Sequence, residues 1–128
     1  AQKLHDRRRR KVENETMLET LPRSVSRVVR TPVGEALGLS NRWRGGQYCA
    51  ILTERGLVGC GIYDIECANE FGFAFALAKG TPAKPLVEPE DLYEASIVKV
   101  SNKAKALGIE PGMTGLQALD RLLNAAEK

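Results

Sequence analysis

Apolar and polar positions change period twice between residues 47 and 78. In residues 47–53, Tyr48, Ala50 and Leu52 alternate with Gln47, Cys49, Ile51 and Thr53. Both sets contain apolar residues, the pattern of a strand covered on two faces. Glu54-Arg55-Gly56 then predicts a tight hairpin turn, with Gly56 free to take a positive φ. Residues 57–63 return as the partner strand. Asp64 suits a helix N-cap, so a short helix runs from it to Phe71. Glu66 sits in its first turn, where the helix dipole favours an anion, and Gly72 lies just past its end. Residues 73–78 are apolar on both faces and read as a central strand.

The flanks complete the pattern. Residues 24–30 are β-favouring and partly alternating, an edge strand. Residues 31–34 turn the chain, 35–39 are short and apolar, and 41–46 read as a loop that carries Trp43 between two arginines. A Trp in that setting shields the mouth of a core with Arg stacked on it, or meets a partner. Residues 79–85 form a basic loop. Pro89 then opens a long helix, with Tyr93, Ile97, Val100, Ala104 and Leu107 as one stripe and Gly108 at its end. Thr114 and Gln117 form a capping box that opens a last helix, with Leu116, Leu119, Leu122, Leu123 and Ala126 on its apolar face. Strands first and helices last predict an α+β fold. Its expected form is a small, mostly antiparallel sheet with a short helix and two C-terminal amphipathic helices packed on one face.

Charge divides the 128 residues into an arm, 1–22, and a domain, 23–128. The first thirty residues hold nine Lys/Arg and four Asp/Glu, net +5, while the remainder holds ten and twelve, net −2. The basic character therefore belongs to the arm, where Arg7, Arg8, Arg9, Arg10 and Lys11 are consecutive. Such a block is either a solvated tail or an electrostatic grip on phosphates or an acidic protein surface. Arg7 to Lys11 and Trp43 are accordingly the candidate partner-binding residues, for a protein complex or a nucleic acid. No run approaches the roughly 20 apolar residues of a membrane span. Ala1 to Asp6 lack the apolar stretch of a secretory signal, so a soluble, cytoplasmic protein is expected.

Cys49, Cys60 and Cys67 with one histidine, His5, make a poor zinc set, and their odd number argues against a disulfide scaffold. No metal and no cofactor is expected. Cys60 is the candidate catalytic residue: Gly59 and Gly61 clear space around it, and the coming helix start would lower its pKa. Against this, the only imidazole lies in the arm, and free cysteine is among the most buried residue types. Cys49 lies on the partner strand. Thr53 opposite Leu57 would turn it from Cys60, and a one-residue shift would bring the two to one face. Cys67 is most simply a core residue. Gly112, Met113, Thr114 and Gly115 form a second candidate, a Gly-rich turn whose N–H groups could hold an anion unless the capping box uses them. Gly59 and Gly61 join these four as candidate ligand-binding residues.

Two separated motifs carry a family resemblance. Residues 55–61, Arg-Gly-Leu-Val-Gly-Cys-Gly, precede a helix, and residues 104–119 run Ala-Lys-Ala-Leu-Gly-Ile-Glu-Pro-Gly-Met-Thr-Gly-Leu-Gln-Ala-Leu. Together they resemble the YunC-like domain, a small prokaryotic family of unknown function, over roughly residues 33–123. The resemblance implies an α+β fold of a small sheet with C-terminal helices, and supplies no activity. The arginine-rich arm, the Trp43 loop and the proline-bearing segment 81–89 depart from its pattern. With no assignable base, acid pair or metal set, the sequence leans away from an enzyme. It favours a binding or assembly module anchored through the arm, with homo-oligomerisation left open. The alternatives are a small-ligand regulator and a thiol-dependent enzyme or sensor using Cys60.

Overall fold

A computed structural model describes residues 21–126. Six strands lie in one sheet in sequence order: β1 (Arg23–Thr31), β2 (Gly34–Trp43), β3 (Gly46–Leu52), β4 (Gly56–Gly59), β5 (Ala74–Ala78) and β6 (Ile97–Val100). Neighbours are antiparallel except β4 and β5, which run parallel. Parallel strands need a crossover, and α1 (Ile65–Phe71) supplies it. A 3₁₀ turn (Pro89–Leu92) precedes β6, and α2 (Asn102–Ala106) and α3 (Gly115–Asn124) follow it. The described residues are therefore α+β. No helix among them is long and apolar enough to cross a membrane.

One short pattern, Thr-x-x-Gly, closes the first and third hairpins. In residues 31–34, Thr31 Oγ1 donates to the Gly34 carbonyl at 2.7 Å and accepts from the Val33 N–H at 3.2 Å. In residues 53–56, Thr53 Oγ1 donates to the Gly56 carbonyl at 2.9 Å and accepts from the N–H groups of Arg55 and Gly56. The loop is thus the two residues Glu54 and Arg55. Gly56 does not take the expected positive φ. It is needed for another reason: a Cβ there would lie 2.1 Å from the Ala74 carbonyl oxygen of the parallel partner strand.

Alternate residues of the strands enter two apolar clusters, one on each face of the sheet. Cys49, Ile51, Val58, Cys60, Ala76 and Ala78 pack with Leu92, Ile97, Ala104, Ile109, Ala118, Leu119 and Leu122. Ala50, Leu57 and Leu77 pack with Leu39, Tyr63, Ile65 and Phe75. α2, α3 and the 3₁₀ turn thus contribute to one cluster and α1 to the other. The 3₁₀ turn is clipped to β1 and β2 by Arg27–Glu90 and by Arg42–Glu88 at 2.7 Å.

Two expectations change. The long helix from Pro89 is instead a 3₁₀ turn, a strand and the five-residue α2. The β-branched run Ile97-Val98-Lys99-Val100 pairs with β5, and Ser101 fixes the switch to helix. Its hydroxyl donates to the Phe73 carbonyl at 2.6 Å, accepts from the Phe75 N–H at 2.9 Å and caps α2 at the Ala104 N–H. Trp43 also lies at the end of β2 and not in a loop, because β2 continues to pair with β3 through Trp43 opposite Gly46.

Candidate functional site

The two-residue turn sets the register of β3 against β4: Leu52 faces Leu57, Ile51 faces Val58 and Ala50 faces Gly59. The next pair outward is Cys49 and Cys60, and the Cys60 N–H donates to the Cys49 carbonyl at 3.1 Å. Of the two registers open at the level of sequence, this is the one that brings the thiols to one face. The other needed a loop one residue longer. Cys49 is fully buried and Cys60 is 8% exposed. An antiparallel pair of this hydrogen-bonded kind holds its Cα atoms about 5.5 Å apart, inside the span a disulfide bridges. Both cysteines are free thiols here.

The pair shares its protons unequally. The Cys49 thiol donates to the Cys60 sulfur and pulls the Cys60 pKa down to about 6; burial opposes this, and the main-chain N–H of Ile62 assists. The same hydrogen bond, then burial and the nearby Cys60, Asp91 and Glu88 charges, push Cys49 up. Of the two thiols, Cys60 is the one pushed toward the thiolate and Cys49 the one pushed toward keeping its proton. The helix start does not do this work. Asp64 caps α1 with its own carboxylate, accepting from the N–H groups of Glu66 at 2.9 Å and Cys67 at 3.4 Å. Tyr63 lies alongside, its phenol raised to about 12 by burial and then by the Cys60 charge.

The other sequence candidates disperse. Gly59 clears space for a ring: a Cβ there would lie 2.6 Å from Tyr63 Cδ2. Gly61 is exposed, and a Cβ would sit 3.5 Å from the Ala78 carbonyl, an ordinary contact. In the Gly112 turn every N–H is already used within the protein. Gly112 donates to Ile97, Met113 to Glu110, Gly115 to Ala95 and Leu116 to Tyr93. Thr114 and Gln117 serve each other in the capping box. Gly115 is a packing residue, since a Cβ would lie 1.7 Å from the Leu92 carbonyl oxygen. The turn has no N–H left for an anion. Cys67, expected in the core, is exposed on α1 because Ala68 takes the inward position. Trp43 packs against Tyr48, ring centroids 6.0 Å apart, and stays half-exposed. His5 and Arg7 to Lys11 lie outside the described residues. Among the described residues no three His, Cys, Asp or Glu side chains are placed to hold a metal.

Sequence reasoning did not commit to Cys49 as the partner of Cys60. The signal was present in the repeated Thr-x-x-Gly pattern, which fixes a two-residue loop and hence the register.

Among solved structures, a protein of unknown function from Thermoplasma acidophilum, TA1206, has a similar fold, with a TM-score of 0.67 and 21% sequence identity. The match covers 79% of this chain and 94% of that one, and at this identity it speaks for the fold alone. No curated protein matches. A family profile matches residues 59–122, beginning one residue before Cys60 and ending within α3; β1 to β3, with Cys49, lie before it. On that match, which spans half of the 128 residues, the chain belongs to DUF1805, a family of domains of unknown function.

Proposed function

We propose that this domain is a thiol-based redox protein, with Cys60 as the attacking thiolate and Cys49 as the thiol that resolves it. One observation carries the reading: the β3–β4 register continues to Cys49 and Cys60, which face one another with the Cys60 N–H on the Cys49 carbonyl. Redox-active cysteines combine a lowered pKa with a nearby second thiol. Cys60 is nearly covered, so a small oxidant suits it, and we take hydrogen peroxide as the class. The Cys60 thiolate attacks one peroxide oxygen; an S–O bond forms, the O–O bond breaks, and hydroxide leaves to be protonated to water. Cys49 then attacks the sulfenic sulfur. An S–S bond forms, a second water leaves with the Cys49 proton, and two thiols have been oxidised for one peroxide reduced. A reductant dithiol restores the pair by exchange. A reducing compartment suits such a couple, in keeping with the cytoplasmic expectation.

The test is mass spectrometry of the full chain after a brief exposure to hydrogen peroxide. A Cys49–Cys60 disulfide should form and reverse with dithiothreitol, and Cys49→Ser should stop at a Cys60 sulfenic acid that dimedone traps. A Cys60 oxidised no faster than Cys67 would sink the reading.

A second reading, the binding module anchored through Arg7 to Lys11, keeps one supporting observation, the half-exposed Trp43. Deleting residues 3–11 should then abolish association with its protein or nucleic-acid partner and spare the fold; unchanged co-purification would reject it.

A further inference from the structure

The α1 face of the sheet is only half covered. Ile65 of α1 and Tyr63 pack over Leu57, Leu77 and Phe75 of β4 and β5. Farther along the same face Val28 of β1, Leu37 of β2 and Leu52 of β3 are exposed, and their row is apolar. Val28 pairs with Leu37, Leu37 with Leu52, Leu52 with Leu57 and Leu57 with Phe75, so one cross-strand row runs from the sheet edge to α1. Phe75 is also the midpoint of an aromatic chain: Trp43, Tyr48, Tyr63, Phe75, Phe73 and Phe71 follow one another at centroid spacings of 5.7 to 6.2 Å. Six of the seven aromatic residues in the sequence belong to it, so a chain poor in aromatics has concentrated them beside one surface.

The geometry points to a homodimer in which this face, along Val28, Leu37, Leu52, Trp43, Phe71 and Phe73, meets the same face of a second copy of the chain. The area fits that occupant. The six residues are between 37% and 64% exposed. At about 150–250 Å² for a large side chain, this leaves roughly 600 Å² of apolar surface in water. A standard interface buries about 800 Å² on each partner, about 65% of it apolar in homodimers, or roughly 500 Å². Charge agrees as well. Arg30 and Glu35 stand at the rim as an exposed ion pair with the Nε to Oε1 distance at 3.3 Å, so a two-fold axis can set each Arg30 against the Glu35 of the second copy. The face is preferred to the β1 edge because Arg23, Arg27 and Arg30 along β1 oppose edge-to-edge pairing. None of this depends on the thiol chemistry.

The test is sedimentation equilibrium of the full chain over a concentration series, with circular dichroism to confirm folding. Wild type should show twice the 14.0 kDa chain mass. Leu52→Glu should weaken dimerisation more than about a hundredfold, because it buries an unpaired charge on each copy. Val28→Ser, on the edge strand, gives a milder loss should Leu52→Glu fail to fold. Val98→Glu, exposed on β6 and outside the patch, should leave the dimer intact. A monomeric wild type overturns the proposal, as does a dimer that neither Leu52→Glu nor Val28→Ser weakens, or one that Val98→Glu disrupts equally.

Discussion

At the scale of single residues, the acidity of Cys60 comes from one neighbour and one turn. Cys49→Ala removes the donor and should raise the midpoint of Cys60 alkylation from about 6 toward the ordinary thiol value of about 8.5; iodoacetamide kinetics against pH would show an unchanged midpoint if the pairing were unimportant. Stability follows by linkage. With its pKa lowered, native Cys60 gives up its proton at a lower pH than the unfolded chain does. Its contribution is therefore complete above the unfolded value and is lost as pH falls through about 6. Cys49 is raised, so its contribution is present below the unfolded value and is lost at higher pH. Thermal melts should show a rise in stability from pH 5.5 to 8 that is reduced in Cys60→Ser. The sequence singles out Cys60 by its glycine flanks, yet the two glycines differ: Gly59 seats the Tyr63 ring, while Gly61 meets only an ordinary contact.

At the scale of elements, Ser101 joins three of them. Ser101→Ala removes a helix cap, typically about 1 kcal/mol, and strands the part-buried Phe75 N–H, about 1 kcal/mol or more besides. A Tm lower by roughly 10 °C is expected from calorimetry. Thr114→Ala removes only a capping box, so it should lose about 1 kcal/mol and leave phosphate affinity unaltered; a change in phosphate binding would restore the Gly112 turn as a ligand site. The hairpins were legible because alternation and turn chemistry are local. β6 was not, for a specific reason. The β5–β6 register shifts between Leu77 and Ala78, leaving Val98 as an extra residue. The inward residues Ile97 and Val100 are then three apart instead of two, the spacing a helix would give. A bulge, set by pairing with a strand twenty residues upstream, imitated the helical period.

At the scale of the molecule, the α+β class was legible because strand-like patterns precede helix-like ones. The distribution of helices over the two faces was not, because it depends on the β4–β5 crossover. Thr53→Val tests how far the turn governs the whole site. Three hydrogen bonds leave with the hydroxyl, and the expected outcome is a loss of about 1–2 kcal/mol together with slower formation of the Cys49–Cys60 disulfide. Normal oxidation in a destabilised variant would separate the register from the chemistry.

The parallel contact between β4 and β5 has a consequence for how this family can be dissected. The family match begins at Gly59, but residues 56–59 together form the strand that pairs with residues 74–77 of β5. A fragment starting at Gly59 would carry a naked apolar margin in place of a satisfied one. Expressed alone it should gather into insoluble material, while the same segment supplied with residues 21–58 as a separate peptide should recover a folded, soluble whole.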